Sequence, residues 1–442
     1  MLQSWSGKLT QIDQHRILVF LGTVWGFAFT LLMVETNLAD PKSFAESDYI
    51  TTFYVAGHLM ASGQAESLYL APNDSSFTHS RFDEAAHRLV PSLPEQSTAI
   101  FAYTPLVAWI FAPLSKVSPN ISLLFWQIIS MMGLLLSAVF LSRTSNARAS
   151  DILFLSGLFL PVIATLWSGQ VSLVFGLLPL SAGYFLFKKD RPFLAGLVWS
   201  LICLKPQFVF VPALVIFALV LAGRFKCCIG FFVGVIALIG STVMFVPMTV
   251  TRSWLYSLQL RETLSYAGVY KIREYLVTSL PADILLMLPI ELGTSTKWPI
   301  YIAAATLWLA GAWRCKKLLN STLLTEFPKI SLTLIVALML LPITSPYLLY
   351  YDLCIFVPAG VILLGNEWPA LPSVSLKFIG LIGWLSISGY MLAFMTLPEH
   401  FVQPLLLQFI LLGLLYKLSK TLDRICPVSE VPPIRSTQVS NP

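Results

Sequence analysis

Residues 17–38 read ILVFLGTVWGFAFTLLMVETNL, 22 residues with Glu35 as the one ionisable side chain, and this stretch decides the fold class. It follows Lys8 and Arg16, is longer than the core of a secretory signal and lacks a small-x-small cleavage pattern, so it reads as an uncleaved first membrane span. Working outward, the same signature recurs as FFVGVIALI over 231–239 and LIVALMLL over 334–341. These runs are continuous, without the polar alternation of a membrane β-strand, which excludes a β-barrel. Only 11% of the 442 residues are charged and 56% are hydrophobic, with mean hydropathy +0.77; a soluble domain carries about 25% charge. The expected fold is therefore all-α, a polytopic membrane protein with helices in the loops between its spans.

Further spans are readable at about 119–141, 151–167, 170–187, 193–204, 207–223, 228–248, 298–313, 327–343, 347–364, 377–396 and 401–417, twelve in all. The apolar segment Ile100 to Leu114 decides the topology, because a crossing there inverts everything after it. If it dips in and returns, one side collects 18 basic and 7 acidic side chains against 10 and 15 on the other. If it crosses, the clusters Lys188/Lys189/Arg191 and Arg314/Lys316/Lys317 face outward, against the positive-inside rule. Residues 100–116 are accordingly expected to be re-entrant or surface-lying, and both termini cytoplasmic. Residues 1–425 then form a single integral-membrane domain with long outer loops at 39–118 and 249–297, and 426–442 form a short cytoplasmic tail.

The formal charge of +6 is a matter of loop placement and no sign of nucleic-acid binding. None of the six cysteines falls in the long loops and no Cys/His ligand spacing occurs, so neither a disulfide framework nor a structural zinc site is expected. No Walker-type glycine loop is present, which argues against ATP hydrolysis. Glu35, Lys205 and Asp352 all sit near outer span ends, whereas an electrochemical transporter usually needs ionisable groups deep in its helices.

Candidate chemistry gathers where spans break. Residues 193–204 make a helix of about 18 Å at 1.5 Å per residue, short of the roughly 30 Å hydrocarbon core, and stop at Lys205-Pro206. Ser168-Gly169-Gln170 makes a similar break. Non-helical backbone at that depth belongs beside a cavity or inside protein, so the two breaks point to an outward cavity. Lys205 near the bilayer needs a reason, either a lipid phosphate or a snorkelling geometry. Asp48, just past the first span, is placed to take a proton from a hydroxyl at the membrane interface, or else to cap the helix beginning at Tyr49. Asp352, beside Tyr350 and Tyr351, is a second carboxylate for acceptor hydroxyls or a hydrogen-bonded structural group. Arg252, Arg261 and Arg273 of the later loop have the paired donors that suit phosphate.

In order along the chain stand Asp48-Tyr49, Tyr54, Gly63, Leu68-Tyr69, Phe101-Ala102-Tyr103-Thr104-Pro105-Leu106, Ala112-Pro113-Leu114, Ser168-Gly169-Gln170, Leu204-Lys205-Pro206, Ser345-Pro346-Tyr347 and Tyr351-Asp352. This series resembles the family 87 glycosyltransferases of the GT-C class. The resemblance implies a transferase that uses a polyprenyl-phosphate sugar on the outer face of a bacterial cytoplasmic membrane. It implies Asp48 as general base and a role for Lys205 in holding the donor phosphate; Arg261 and Arg273, from the reading of the later loop, are the further donor-phosphate candidates. Tyr54, Tyr103, Gln170, Tyr347, Tyr351 and Asp352 are the expected acceptor or sugar contacts. Thr104 stands where the family often has a first of two prolines. Tyr350, Tyr351 and Asp352 stand where its actinobacterial mannosyltransferases tend to carry histidine, which leaves mannose or another hexose open.

The mechanism expected from these residues is inverting transfer to a lipid or glycan hydroxyl, with no metal and no cofactor, since fixed cations meet the leaving phosphate. A carrier or flippase of a lipid-linked sugar would use the same cavity and lysine. A glycan polymerase or ligase comes third, because such enzymes commonly depend on a late-loop histidine and 249–297 contains none.

Overall fold

Backbone amides inside hydrocarbon find no water, so an apolar chain closes its hydrogen bonds within helices. The computed structural model describes residues 12–39, 45, 47–70, 76–266, 276–288, 290–366, 372–397 and 404–423. Among them β structure is limited to an isolated bridge between Val277 and Leu349. The α-helices run α1 (Ile12–Ala39), α2 (Val55–Ala61), α3 (Arg81–Leu89), α4 (Pro105–Phe111), α5 (Pro119–Ser142), α6 (Ala149–Gly157), α7 (Leu160–Ser168), α8 (Leu178–Lys188) and α9 (Pro192–Trp199). They continue as α10 (Phe210–Leu221), α11 (Lys226–Phe245), α12 (Met248–Tyr266), α13 (Leu280–Met287), α14 (Ile290–Leu319), α15 (Glu326–Thr344), α16 (Val357–Gly365), α17 (Ser373–Thr396) and α18 (Pro404–Asp423).

Among the described residues each of the twelve segments read as a span is largely helical, but not all are long enough to cross. Six of the described helices have spanning length and apolarity, and α6 with α7 makes a seventh only as one span bent by 74°. The segments 170–187, 193–204, 207–223 and 347–364 become shorter apolar helices, Ser172–Lys188, Pro192–Leu204, Pro206–Leu221 and Tyr350–Gly365. Proline and glycine at the breaks, together with turns of π- and 3-10 helix, divide what the hydropathy joins.

The two apolar runs that define the fold end in opposite surroundings. The 334–341 run lies in α15, which is 89% buried across its most apolar window and packs against α10, α14 and α18. A helix apolar on every face is either a core helix or a membrane span, and its packing makes α15 the former. The 231–239 run lies in α11, whose window is 11% buried and is left for lipid. One face of α11 is closed by glycine: a β-carbon at Gly230 would overlap the Phe193 carbonyl of α9, and one at Gly196 the Cys227 carbonyl of α11. Without a hydrophobic drive between helices in lipid, such close backbone approach is what binds them. Gly230→Ala is expected to destabilise the fold by about 1–3 kcal/mol through overpacking, read as a lower unfolding midpoint in detergent; an unchanged midpoint would mean that the crossing yields easily.

Residues 47–70 and 76–118 fold against the bundle around Tyr49, Ile50, Phe53, Leu59 and Phe111, joined by Trp126 of α5. The segment that decided the topology contains one α-helix, the seven-residue α4, followed by a 3-10 turn at Leu114–Lys116, and Leu106, Val107 and Ala108 are buried in this cluster. At roughly 1.5 Å per residue it is far too short to span. Asp83 pins the same unit from inside, its carboxylate accepting from the amides of His79 at 2.9 Å and Ala99 at 2.7 Å.

Candidate active site

The site is built where the helices are interrupted. Asp48 directly precedes the π-helix Tyr49–Tyr54; Gln170 lies between the end of α7 and the π-helix Ser172–Leu177. Lys205 links the 3-10 turns Ser200–Leu204 and Pro206–Phe208, and Tyr351 and Asp352 belong to the 3-10 helix Tyr350–Phe356. Wider and tighter turns re-aim side chains that a regular helix would send elsewhere. Gly169 makes one meeting: its φ of +68° ends α7, and a β-carbon there would overlap Tyr49 and Leu123. Only glycine suits both demands, and Gln170 is thereby brought against Asp48.

Gln170 is the hub. Its Nε2 donates to Asp48 Oδ2 at 2.9 Å and to the Tyr351 hydroxyl oxygen at 3.1 Å. Its Oε1 accepts from the Tyr103 hydroxyl and from Lys205 Nζ, each at 3.3 Å. Lys205 Nζ also donates to Ser172 Oγ at 2.6 Å and meets Asp352 Oδ1 at 2.6 Å, with the Phe208 and Tyr351 rings 5.3 and 5.1 Å away. Ser172 Oγ donates to Asp352 Oδ1 at 3.0 Å; Asp352 Oδ2 accepts from the Leu349 amide at 3.1 Å and Gln207 Nε2 at 3.3 Å. Lys205 and Asp352 have no accessible side-chain surface. Two buried charges are tolerable only when paired and fully hydrogen-bonded, and the surrounding groups meet that demand.

Asp48 opens onto a cavity of about 1050 Å³ shared by both long segments and the bundle. Its polar end carries Asp48, Thr52, Tyr103, Gln170, Tyr347 and Tyr351; it continues between α10 and α14 along Phe210, Ala213, Ala304, Trp308 and Leu309. Among the described residues that line it, Asp48 is the one charged side chain. Burial pushes the Asp48 carboxyl above its ordinary range, opposed by the Gln170 hydrogen bond and the Lys205 charge and reinforced by Asp352. Asp48 stands at the cap position of the Tyr49 helix but makes no side-chain capping bond. Its Oδ2 is held by Gln170, and among the described residues nothing bonds Oδ1.

The structure thus brings Asp48, Tyr103, Gln170, Tyr347 and Tyr351 to one cavity, with Lys205 and Asp352 directly behind its wall. Tyr54 is not among them: its hydroxyl donates to the Val117 carbonyl at 3.0 Å and ties the Tyr49 helix to the chain just before α5. The side chain of Arg261, and Arg273 altogether, lie outside the described residues. Ser172, Gln207 and Thr52 were not foreseen. The usable signal for the first two is adjacency, since each is two residues from a predicted break, where backbone in a bilayer has polar neighbours. Among the described residues no three His, Cys, Asp or Glu side chains converge as metal ligands would.

No curated protein and no solved structure gives a significant match to the chain. A family model does, that of glycosyltransferase family 87, over residues 101–346. The matched span carries Tyr103, Gln170, Ser172, Lys205 and Gln207; Asp48 precedes it and Tyr351 and Asp352 follow it. With more than half of the 442 residues matched, the chain belongs to glycosyltransferase family 87 and is a multi-pass membrane glycosyltransferase.

Proposed function

We propose that the protein transfers a hexose, mannose or one like it, from a polyprenyl phosphate to a hydroxyl of a lipid or glycan acceptor, on the extracytoplasmic face of a bacterial cytoplasmic membrane. The observation that carries this reading is the cavity: a carboxylate, the one charged group among its described lining residues, at a polar end, and an apolar passage between α10 and α14 leading away from it. A phosphosugar suits the first and an isoprenoid tail the second. The excess of basic residues predicted on the opposite side of the membrane supports the choice of face.

Asp48 Oδ1 takes the proton of the acceptor hydroxyl as its oxygen attacks the anomeric carbon. The bond from that carbon to the phosphate oxygen breaks on the far side, polyprenyl phosphate leaves with the bonding pair, and the configuration inverts. Cationic groups for the leaving phosphate come from α12 and the segment that follows it. Arg261 follows the cavity-lining Leu258 by three residues, one helical turn along α12, with Arg273 further on.

The test is purified protein in detergent, given polyprenyl-phosphate mannose or glucose and extracted membrane lipids. The expected result is a new glycosidic product with release of polyprenyl phosphate. Movement of the intact donor across reconstituted vesicles, with no product in either setting, would replace transfer by carriage. Ala304→Phe narrows the passage, so the KM of a long-chain donor should rise about tenfold, equivalent to roughly 1.4 kcal/mol, while a donor of two or three isoprene units is little affected. Equal effects on both donors would remove the tail from this passage.

A further inference from the structure

We infer that the buried Lys205–Asp352 pair is a positioning device for Asp48, acting through the direction of the Gln170 carboxamide, and that Lys205 is not a ligand of the donor phosphate. The inference rests on Asp48 as the proton acceptor and gives that residue its supporting machinery.

A carboxamide turned by 180° fills the same space with its donor and acceptor ends exchanged, so its direction is set by neighbours. An ammonium only donates. With Lys205 Nζ at 3.3 Å, the Gln170 oxygen must face the lysine, and the Tyr103 hydroxyl bonds the same oxygen at 3.3 Å. The Nε2 end then faces the cavity edge, where it donates to Asp48 Oδ2 at 2.9 Å. In the reverse direction two acceptors would meet at Asp48 and two donors at Lys205. Such a mismatch would displace the carboxylate or protonate it.

Lys205 is in turn fixed from behind. Its three donors are matched by three protein acceptors, Gln170 Oε1, Ser172 Oγ and Asp352 Oδ1, and it has no accessible surface. Asp352 is anchored at its other oxygen by the Leu349 amide and Gln207. A phosphate reaching Lys205 would have to displace one of these partners. The arrangement instead resembles a support behind a working group, where a displacement of about 1 Å is enough to cost about 10²-fold in rate.

The experiment compares Gln170→Leu, the paired replacement Lys205→Met/Asp352→Leu, the triple variant and Asp48→Asn, all as full-length protein in detergent. Two quantities are read: transfer kinetics against pH, and affinity for polyprenyl phosphate, the product common to every sugar donor. The ionisable groups around the device are Asp48, Lys205, Asp352, Tyr103, Tyr347, Tyr351 and Cys354. Gln170→Leu and the paired replacement should each lower kcat about 10²-fold, leave polyprenyl phosphate affinity within about threefold, and move the acid limb of kcat upward in pH. That limb moves because Asp48 loses the hydrogen bond that favours its ionised form. The triple variant should be no worse than the paired one, since both remove the same device.

Losses that multiply in the triple variant, or a tenfold or greater fall in polyprenyl phosphate affinity with kcat retained in the paired replacement, would overturn the inference. If the paired replacement does not fold, Gln170→Glu decides: it keeps an acceptor for Lys205 but gives Asp48 no donor, and undiminished kcat refutes the device. Activity in Asp48→Asn would instead remove the base itself, an outcome read separately from the coupling of 170 with 205 and 352.

Discussion

Asp48→Asn protein is expected to fold as the parent does and to lose at least about 10² in kcat, the lower end of what a positioned general base supplies. The substitution keeps the shape and an oxygen for Gln170 Nε2, so the local hydrogen bond at 2.9 Å has no reason to break. What disappears is the capacity to accept a proton from the attacking hydroxyl. The parent's pH dependence should show the same group from the other side. Asp48 works ionised, and burial raises its pKa above the ordinary carboxylate range while Gln170 and Lys205 restrain the rise. Activity is therefore full above the raised value and lost as the pH falls through it, with the fall beginning at a higher pH than a solvated aspartate would give. The kcat of Asp48→Asn should lack that acid limb. An Asn variant turning over near the parental rate would leave the cavity without its base.

Much of this site was legible in the sequence for one reason: in a bilayer, irregular backbone is costly unless something polar surrounds it. Gly169-Gln170 and Lys205-Pro206 announced themselves as breaks, and the structure brings both to one wall with Asp48. Tyr103 and Tyr351 were found as members of motifs and stand at the same point. Spacing along a chain does not report what lies across from a side chain. Lys205 was visible as a lysine at an unexpected depth, but its partner Asp352 belongs to another helix, and a pairing that leaves both with no accessible surface has no local signature. Tyr54 failed for the opposite reason. It lies in a motif beside Asp48, yet the π-helix that starts at Tyr49 directs its hydroxyl to the Val117 carbonyl. The span count suffered likewise, because hydropathy averages over the bend of 74° between α6 and α7 and over the short turns at 170, 205 and 350.

Lys205→Met alone should be the most destabilising of the single substitutions considered, by about 3–5 kcal/mol, because it strands the Asp352 charge in a place without water. Met matches the lysine stem in length and polarisability, so packing is nearly conserved and the loss is electrostatic. Removing both charges in Lys205→Met/Asp352→Leu should restore much of that stability, since replacing a buried pair by apolar residues of similar volume is often neutral or better. Recovery will be incomplete, because Ser172, Gln207 and the Leu349 amide keep polar atoms that Asp352 had satisfied. The contrast within the protein is Arg314–Asp423, whose side chains are 37% and 46% exposed. Asp423→Asn should cost no more than about 1 kcal/mol there, as for exposed pairs generally. Unfolding in detergent, followed by intrinsic fluorescence, measures all three. If Lys205→Met is as stable as Asp423→Asn, then water or lipid phosphate already reaches the lysine, and the pair is not the sealed support that its geometry describes.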